Sequence, residues 1–211
     1  MALRGKKILI TCGPTWVAID AMRVISNRST GELGHLLAKR LSVANAKVTL
    51  LQGPVTHAFE SSKVRIVNFC FFEELAQQLK NELRSRYDCI IHAAAVSDFK
   101  PKETFTQKIA SNKNFRLDLV PTPKLINMIK AKQPKVFLVG FKLENYMNHT
   151  RAVKETKELF SKAKCNLVVA NFMDESGYEA LLLEKDRNLL GKVKSKTELA
   201  RTLVTVLSQR L

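Results

Sequence analysis

Apolar residues in this chain gather in short runs separated by longer amphipathic stretches. The runs are Lys7–Cys12, Lys47–Leu51, Val64–Asn68, Cys89–Ala94, Val136–Phe141 and Asn166–Ala170. Most are continuous rather than alternating, as expected of strands covered on both faces of a parallel sheet. Between them, apolar positions recur at helical spacing over Gly31–Val43, Phe72–Arg86, Pro123–Lys132 and about His149–Lys164. Thr122 followed by Pro123 predicts a capped helix start. Ser195-Lys-Thr-Glu198 reads as a capping box opening a terminal helix that carries Leu199, Leu203, Val206 and Leu207. Ala180–Leu183 and Asn188–Val193 flank Glu-Lys-Asp-Arg and predict a hairpin. Strands alternating with helices give an α/β fold: one domain over residues 1–211, doubly wound around a mostly parallel sheet, with a late β-hairpin and a C-terminal helix. Ligands of such folds bind outside the carboxyl ends of the strands.

Two segments break the pattern at those ends. Ile25-Ser-Asn-Arg-Ser-Thr-Gly-Glu-Leu-Gly34 follows the first strand by a short polar loop. A helix starting at Thr30 or Gly31, with Ser29 and Thr30 as caps, would turn free N–H groups and its positive dipole end toward that loop, which makes an anion site. From Asp98 to Asn114 the chain is polar, lysine-rich and weakly periodic, and it follows the strand ending in His92-Ala-Ala-Ala95. A loop of that length leaving the ligand-binding edge predicts a mobile flap carrying lysines over an anionic substrate.

Composition narrows the classes. A chain of 211 residues, 45% of them apolar, buries a full core. No apolar stretch approaches the roughly 20 residues that span a bilayer. Cys12, Cys70, Cys89 and Cys165 lie far apart, without zinc-ligand or Cys-x-x-Cys spacing, so reduced thiols in a cytoplasmic protein are expected. The net charge of +16 suits nucleotides and phosphorylated metabolites. It is spread along the chain, without the basic tail or aromatic-interleaved stripe of a nucleic-acid binder.

A nicotinamide enzyme does not fit. Gly13-Pro-Thr does not open a Gly-x-Gly-x-x-Gly loop, and no acidic residue follows Leu51-Gln52-Gly53 to hold a ribose diol. His35, His57, His92 and His149 are scattered, with no partner at ligand spacing.

Thr11-x-Gly-x-Thr15, Ile19-Asp20-x-x-Arg23-x-Ile25-Ser-Asn-Arg-Ser-Thr-Gly-x-x-Gly34, Ala93-Ala-Ala-Val-Ser-Asp-Phe-x-Pro101, Lys108-Ile109, Pro123-Lys-Leu125, Gly140-Phe141 and Val169-Ala-Asn171 occur in an order and spacing that resemble bacterial phosphopantothenate–cysteine ligases of coenzyme A biosynthesis. The resemblance covers nearly the whole chain and implies a Rossmann-like fold. It also implies activation of the 4′-phosphopantothenate carboxylate by a nucleoside triphosphate, usually CTP, with magnesium. The product is an acyl-nucleotidyl intermediate plus pyrophosphate, and attack by the amine of L-cysteine follows. The family is generally dimeric, so a homodimer is expected. In many bacteria this activity is half of a protein whose other half is a flavin-dependent decarboxylase. No such half is present in this sequence, so no flavin is expected on it and a separate decarboxylase is expected in the pathway.

The resemblance carries roles onto particular residues. Asn27 lies against the activated acyl group, where an amide donates to a developing oxyanion without a titratable charge. Lys108 is the flap cation covering the intermediate during cysteine attack. Nucleotide and phosphate contacts fall on Gly13, Thr15, Ser29, Thr30 and Gly31; on the strand end Ala93, Ala94 and Ala95; on Asp98; on the helix start Pro123, Lys124, Leu125 and Ile126; on Phe141 near the base; and on Lys162. The metal ligands are not assigned. The Gly-Gly-Thr usual in the family is here Gly13-Pro14-Thr15, and Lys162 and Lys164 straddle the expected lysine position; the choice between CTP and ATP stays open. The alternative is a nucleotide- or phosphate-binding regulatory module of the same fold without ligase activity.

Overall fold

The structure, a computed structural model, describes residues 3–112, 114–144, 148–174, 177–186 and 188–211. Lys113 of the expected flap and Arg187 of the expected late turn lie outside that set. The elements run β1 Lys7–Cys12, β2 Trp16–Ala18, β3 Val24–Ser26, α1 Glu32–Val43, β4 Lys47–Gln52, β5 Val64–Asn68, α2 Phe72–Glu82, β6 Cys89–His92, β7 Phe99–Pro101 and β8 Leu119–Pro121. They continue with α3 Ile126–Lys132, β9 Phe137–Glu144, α4 His149–Glu155, α5 Lys157–Ser161, β10 Leu167–Asp174, β11 Gly177–Glu184, β12 Leu189–Val193 and α6 Lys196–Arg210.

One eight-stranded sheet dominates, in the order β12-β11-β10-β9-β6-β1-β4-β5. From β5 to β10 every pairing is parallel. Numbered by their place in the chain, these strands follow the 3-2-1-4-5-6 order of dinucleotide-binding folds. Because β1 feeds β4 on one side and the chain returns at β6 on the other, the switch in strand order opens a crevice beyond the carboxyl ends of β1 and β6.

Continuous apolar runs are explained by cover on both faces. Ile8, Ile10, Leu50, Ile91, Val139, Val169 and Leu182 pack toward α1 and α6. Their alternate neighbours Leu9, Leu51, Ile90, Leu138 and Val168 pack toward the side chains of α2 and α3. Each such fully buried aliphatic side chain contributes roughly 1.5–3 kcal/mol. Gly34 lets α1 lie directly on β1, since a Cβ there would stand 2.2 Å from Cys12 Cβ.

Several boundaries differ from expectation. β6 stops at His92 rather than Ala94. Helix α1 begins at Glu32, with Gly31 in the left-handed region as its cap. Neither Ser29 nor Thr30 caps it closely: Ser29 Oγ accepts from Gly31 N–H and Thr30 Oγ1 from Glu32 N–H, each at 3.4 Å. Helix α3 starts at Ile126, because the Thr122 hydroxyl donates to the Ser97 carbonyl at 2.6 Å instead of capping a helix at Pro123. The stretch His149–Lys164 is two helices broken at buried Thr156, whose hydroxyl bonds back to Ala152 O at 2.6 Å. Helix α2 ends at Glu82, short of Arg86. The late hairpin is present as β11–β12, with Ala180 opposite Val193, and β10 and β11 form a further antiparallel pair. The box at Ser195 holds: its Oγ accepts the Glu198 N–H at 3.1 Å. Two small antiparallel ribbons, β2–β3 and β7–β8, stand outside the main sheet; no periodicity announced them, since each strand has three residues.

Candidate active site

The crevice is framed by backbone. Beyond the ladder, the exits of β1 and β6 zip together: Ala93 N–H donates to Thr11 O at 3.1 Å, Ala95 N–H to Gly13 O at 2.9 Å and Thr15 N–H to Ala95 O at 3.4 Å. Small side chains at Ala93, Ala94 and Ala95 leave this wall open to a ligand.

At the exit of β1, which is bonded to this wall, Gly13 adopts a positive φ of 77°, and Gly31 beside it one of 70°. A Cβ on Gly31 would lie 2.9 Å from Val55 Cγ1 and 3.5 Å from Gly13 N, so the exit of β1 and the start of α1 are in contact, and the positive φ of each position favours glycine. With no close side-chain cap, the first-turn N–H groups of α1 remain for an anion. Gly13 and Gly31 thus serve positive-φ turns, and Gly34 the close packing of α1 on β1. The β2–β3 ribbon is inserted between Gly13 and Gly31. Pro14, which has no N–H, sits against the exit of β4, where a Cβ on Gly53 would stand 2.2 Å from its carbonyl oxygen.

Asn27 emerges from β3 onto the opposite wall. Its Nδ2 donates to Ala95 O at 3.2 Å and Val96 O at 3.1 Å, which joins the two segments that the sequence singled out separately. Behind that wall Ala94 N–H donates to Thr11 Oγ1 at 3.2 Å, and Thr11 Oγ1 is 3.0 Å from Nδ1 of buried His92. Burial alone lowers the imidazole pKa to about 4, so His92 is neutral.

Thr15 is fully buried. Its Oγ1 accepts the Ser97 N–H at 2.9 Å, while Ser97 Oγ donates to Thr15 O at 3.1 Å. That hydroxyl therefore serves the clamp that carries Asp98 and is turned away from the crevice. Asp98 and Lys124 form an exposed ion pair at 2.6 Å. Pro123 and Lys124 are exposed, whereas Leu125 and Ile126 are buried in the core, so near a nucleotide only their backbone is available. Phe141 is half-buried on the α1 face. Lys162 pairs with Glu158 at 2.6 Å, and the Glu158 carboxyl is held below its usual range first by Lys162, with Lys124 and Lys142 adding to the effect.

The segment expected to be a flap begins in the β7–β8 ribbon, continued by Lys102 N–H donating to Asp118 O at 2.9 Å, and beyond it is tied to the β2–β3 ribbon at two further points. Phe105 N–H donates to Ile19 O at 3.0 Å. Ile109 N–H donates to Asp20 Oδ2 at 3.0 Å, and the Ile109 carbonyl accepts both terminal nitrogens of Arg23 at 3.2 Å. Asp20 also accepts the Met22 and Arg23 N–H groups, each at 2.8 Å, and pairs with Arg23 at 2.9 Å. These bonds, led by that from Ile109, keep its carboxyl below the usual range. Lys108 is exposed beside this latch, lining a hollow of about 370 Å³ with Phe105 and Phe115, whose rings meet edge to face. Sequence reasoning quoted Asp20 and Arg23 without giving them a job and passed over Ser97; charged residues inside an apolar ribbon were the available signal. Among the described residues no group of three His, Cys, Asp or Glu side chains is placed to hold a metal ion.

The chain is similar in sequence and fold to known proteins. The chain is 34% identical over 212 residues to the coenzyme A biosynthesis bifunctional protein CoaBC of Thermococcus kodakarensis, covering 100% of this chain and 51% of that protein. It is 36% identical over 172 residues to the protein of the same name from Borreliella burgdorferi, covering 80% and 43%. It therefore spans about half the length of the curated relatives it matches. Among solved structures, a DNA/pantothenate metabolism flavoprotein from Streptococcus pneumoniae superposes with a TM-score of 0.87 at 26% identity, covering 98% of this chain and 100% of that one. The C-terminal domain of a CoaBC protein gives a TM-score of 0.82 at 25% identity, covering 99% and 97%. Residues 3–211 match one family model, and the chain belongs to that family, the DNA/pantothenate metabolism flavoprotein C-terminal domain.

Proposed function

We propose that this chain is a ligase of coenzyme A biosynthesis that joins 4′-phosphopantothenate to L-cysteine through an acyl-nucleotidyl intermediate, with residues 1–211 acting as one ligase domain. The observation that carries this reading is the convergence of Asn27, the Ala93–Ala95 wall and the Gly13–Gly31 cradle on one crevice at the switch point of the sheet. That convergence brings a candidate anion cradle and a polar amide to the same Ala95 segment, which an acyl-phosphate reaction needs. The relatives' names place them in the same pathway.

In the first step a carboxylate oxygen of 4′-phosphopantothenate attacks the α-phosphorus of CTP or ATP and pyrophosphate leaves. In the second the cysteine amine attacks the acyl carbon, the nucleoside monophosphate leaves and a proton is lost. Backbone N–H groups at Gly31 and the first turn of α1 receive phosphate oxygens. Lys124, Lys162 and Lys108 offset the charge of two polyanions. Phe141 offers its ring to the base. Asn27 donates to Ala95 O and Val96 O in the structure, so its carbonyl oxygen is the atom free to accept from the cysteine amine; donation to an oxyanion requires one of those two bonds to release. Magnesium bound with the triphosphate would offset its charge and favour loss of pyrophosphate, and Asp98, paired with Lys124 at 2.6 Å, is the carboxylate that would approach it. A homodimer is supported by the exposed apolar side chains Met22, Val24, Phe99 and Leu119 on the two ribbons.

The intermediate is the discriminating species. With magnesium, 4′-phosphopantothenate and CTP or ATP but no cysteine, mass spectrometry should find the acyl-nucleotide, with one nucleotide preferred about tenfold or more. Tight nucleotide binding with no acyl-nucleotide from either would favour the regulatory-module reading.

A further inference from the structure

Asn27 does not reach the strand end by itself; the strand end has been set to receive it. Four contacts run in series from the sheet interior to the crevice. His92 Nδ1 is 3.0 Å from Thr11 Oγ1, and Thr11 Oγ1 accepts Ala94 N–H at 3.2 Å. The next two carbonyls, Ala95 O and Val96 O, accept Asn27 Nδ2 at 3.2 and 3.1 Å. Each link lies on a separate segment: β1, β6, the exit of β6 and the end of β3.

The chemistry of the middle link is what gives the chain its direction. Ala94 sits where regular parallel pairing has ended, with Ala93 and Ala95 bonded to the carbonyls of Thr11 and Gly13. Ala94 N–H points the other way and has a side-chain oxygen as its partner instead of a backbone one. That oxygen belongs to a rotatable hydroxyl. A second hydrogen bond, to a ring locked inside the sheet layer, removes the rotor's freedom. His92 is 8% exposed and Thr11 0%, and no charged side chain contributes to the imidazole's shifted pKa, which burial alone lowers to about 4. A neutral, immobile imidazole is a fixed reference point for the hydroxyl above it.

We infer that His92 is a positioning residue for Asn27, acting through Thr11 and the Ala94–Val96 backbone and touching no substrate. This inference rests on the ligase reading of the crevice, though the structural link can be tested without it. Catalytic geometry tolerates little: a displacement of about 1 Å at a positioning element costs on the order of 10²-fold in rate. The expected signature is therefore a loss in kcat at nearly unchanged KM, because Gly31 and the first turn of α1, which receive the phosphate in the proposed reaction, lie outside this series of contacts.

The test uses His92→Leu, Thr11→Val and His92→Asn, the last placing a side-chain amide near the position of Nδ1. NMR of the Asn27 side-chain NH2, assigned by its loss in Asn27→Ala, reports the link directly. In the wild type these protons should be shifted and protected; in His92→Leu and Thr11→Val they should move to solvent-exposed values, and His92→Asn should restore them in part. In the ligase assay the first two variants should lose about 10- to 100-fold in kcat, with KM for nucleotide and 4′-phosphopantothenate within about twofold, and His92→Asn should recover much of the loss. Thr11→Val, close in shape to threonine, keeps the test open if His92→Leu fails to fold. Unchanged Asn27 signals in Thr11→Val, or kcat within twofold of wild type in both disruptive variants, would overturn the inference. Asn27 signals that move in the two variants, together with a wild-type protein that makes no acyl-nucleotide, would leave the positioning link standing and remove the ligase reading.

Discussion

Asn27 is exposed, yet its amide is committed to two backbone carbonyls, so its contribution is geometric as well as chemical. Asn27→Asp would replace the donor with a charge facing the Ala95 and Val96 carbonyls and an anionic intermediate. We expect kcat to fall by about 10²-fold or more, with stability to urea changed by no more than about 1 kcal/mol because the site is at the surface; near-normal turnover would remove Asn27 from the mechanism. His92 gives a prediction of another kind. Its folded pKa of about 4 lies below the unfolded value of 6.5, so the native state refuses a proton that the unfolded chain accepts. The neutral ring costs nothing above the unfolded pKa, and stability is lost as pH falls from 6.5 toward 4, by about 3 kcal/mol at the lower end. Urea midpoints at pH 7.5 and 4.5 should show a smaller loss in His92→Asn than in the wild type, since the carboxylates that also weaken the fold in acid are common to both. These assignments were partly legible in the sequence. Asn27 was found because its neighbours form a recognisable string, but nothing in the sequence links His92 to Thr11, which are 81 positions apart.

The β2–β3 ribbon explains what the sequence concealed at the level of elements. A glycine loop is recognised by spacing, and the β2–β3 ribbon separates Gly13 from Gly31 in the chain, so the sequence does not show that the two glycines are neighbours in space. The same ribbon carries the latch on the flap. Asp20 anchors Ile109 and orients Arg23, which grips the same peptide from the other side. Asp20→Ala should release both. Proteolysis within residues 102–110, rich in lysine, should then become several-fold faster at pH 7.5, with the thermal midpoint of the main sheet nearly unchanged; cleavage at the wild-type rate would mean that Phe105 alone holds the segment. Because the Asp20 carboxyl titrates below the usual range, the latch is intact above the ordinary carboxylate pKa and weakens as pH falls through its own lower value. The polar, weakly periodic segment from Asp98 to Asn114 was readable as a loop at the ligand edge. Its attachment was not, because the attachment is made by backbone groups of the loop.

At the scale of the molecule, both-face burial makes apolar runs, runs with intervening helices make a parallel sheet, and the order of that sheet places the crevice. The runs, the helices and the parallel sheet were visible in the hydrophobic pattern, and two irregular segments marked its ligand edge; the strand order was not. The ends of elements were not, because they are decided by tertiary competition: Thr122 left its helix for Ser97, and buried Thr156 broke a helix that the pattern joined. Within the charge of +16, Lys124, Lys142 and Lys162 are each paired with a carboxylate, Asp98, Glu144 and Glu158 respectively, so an anionic ligand would have to compete with those carboxylates for them. The account stands on one reaction. Purified protein given 4′-phosphopantothenate, L-cysteine, magnesium and CTP or ATP should release pyrophosphate in step with an amide-linked phosphopantothenoylcysteine identified by mass. Well-folded protein that binds nucleotide yet forms no amide with either triphosphate would contradict it.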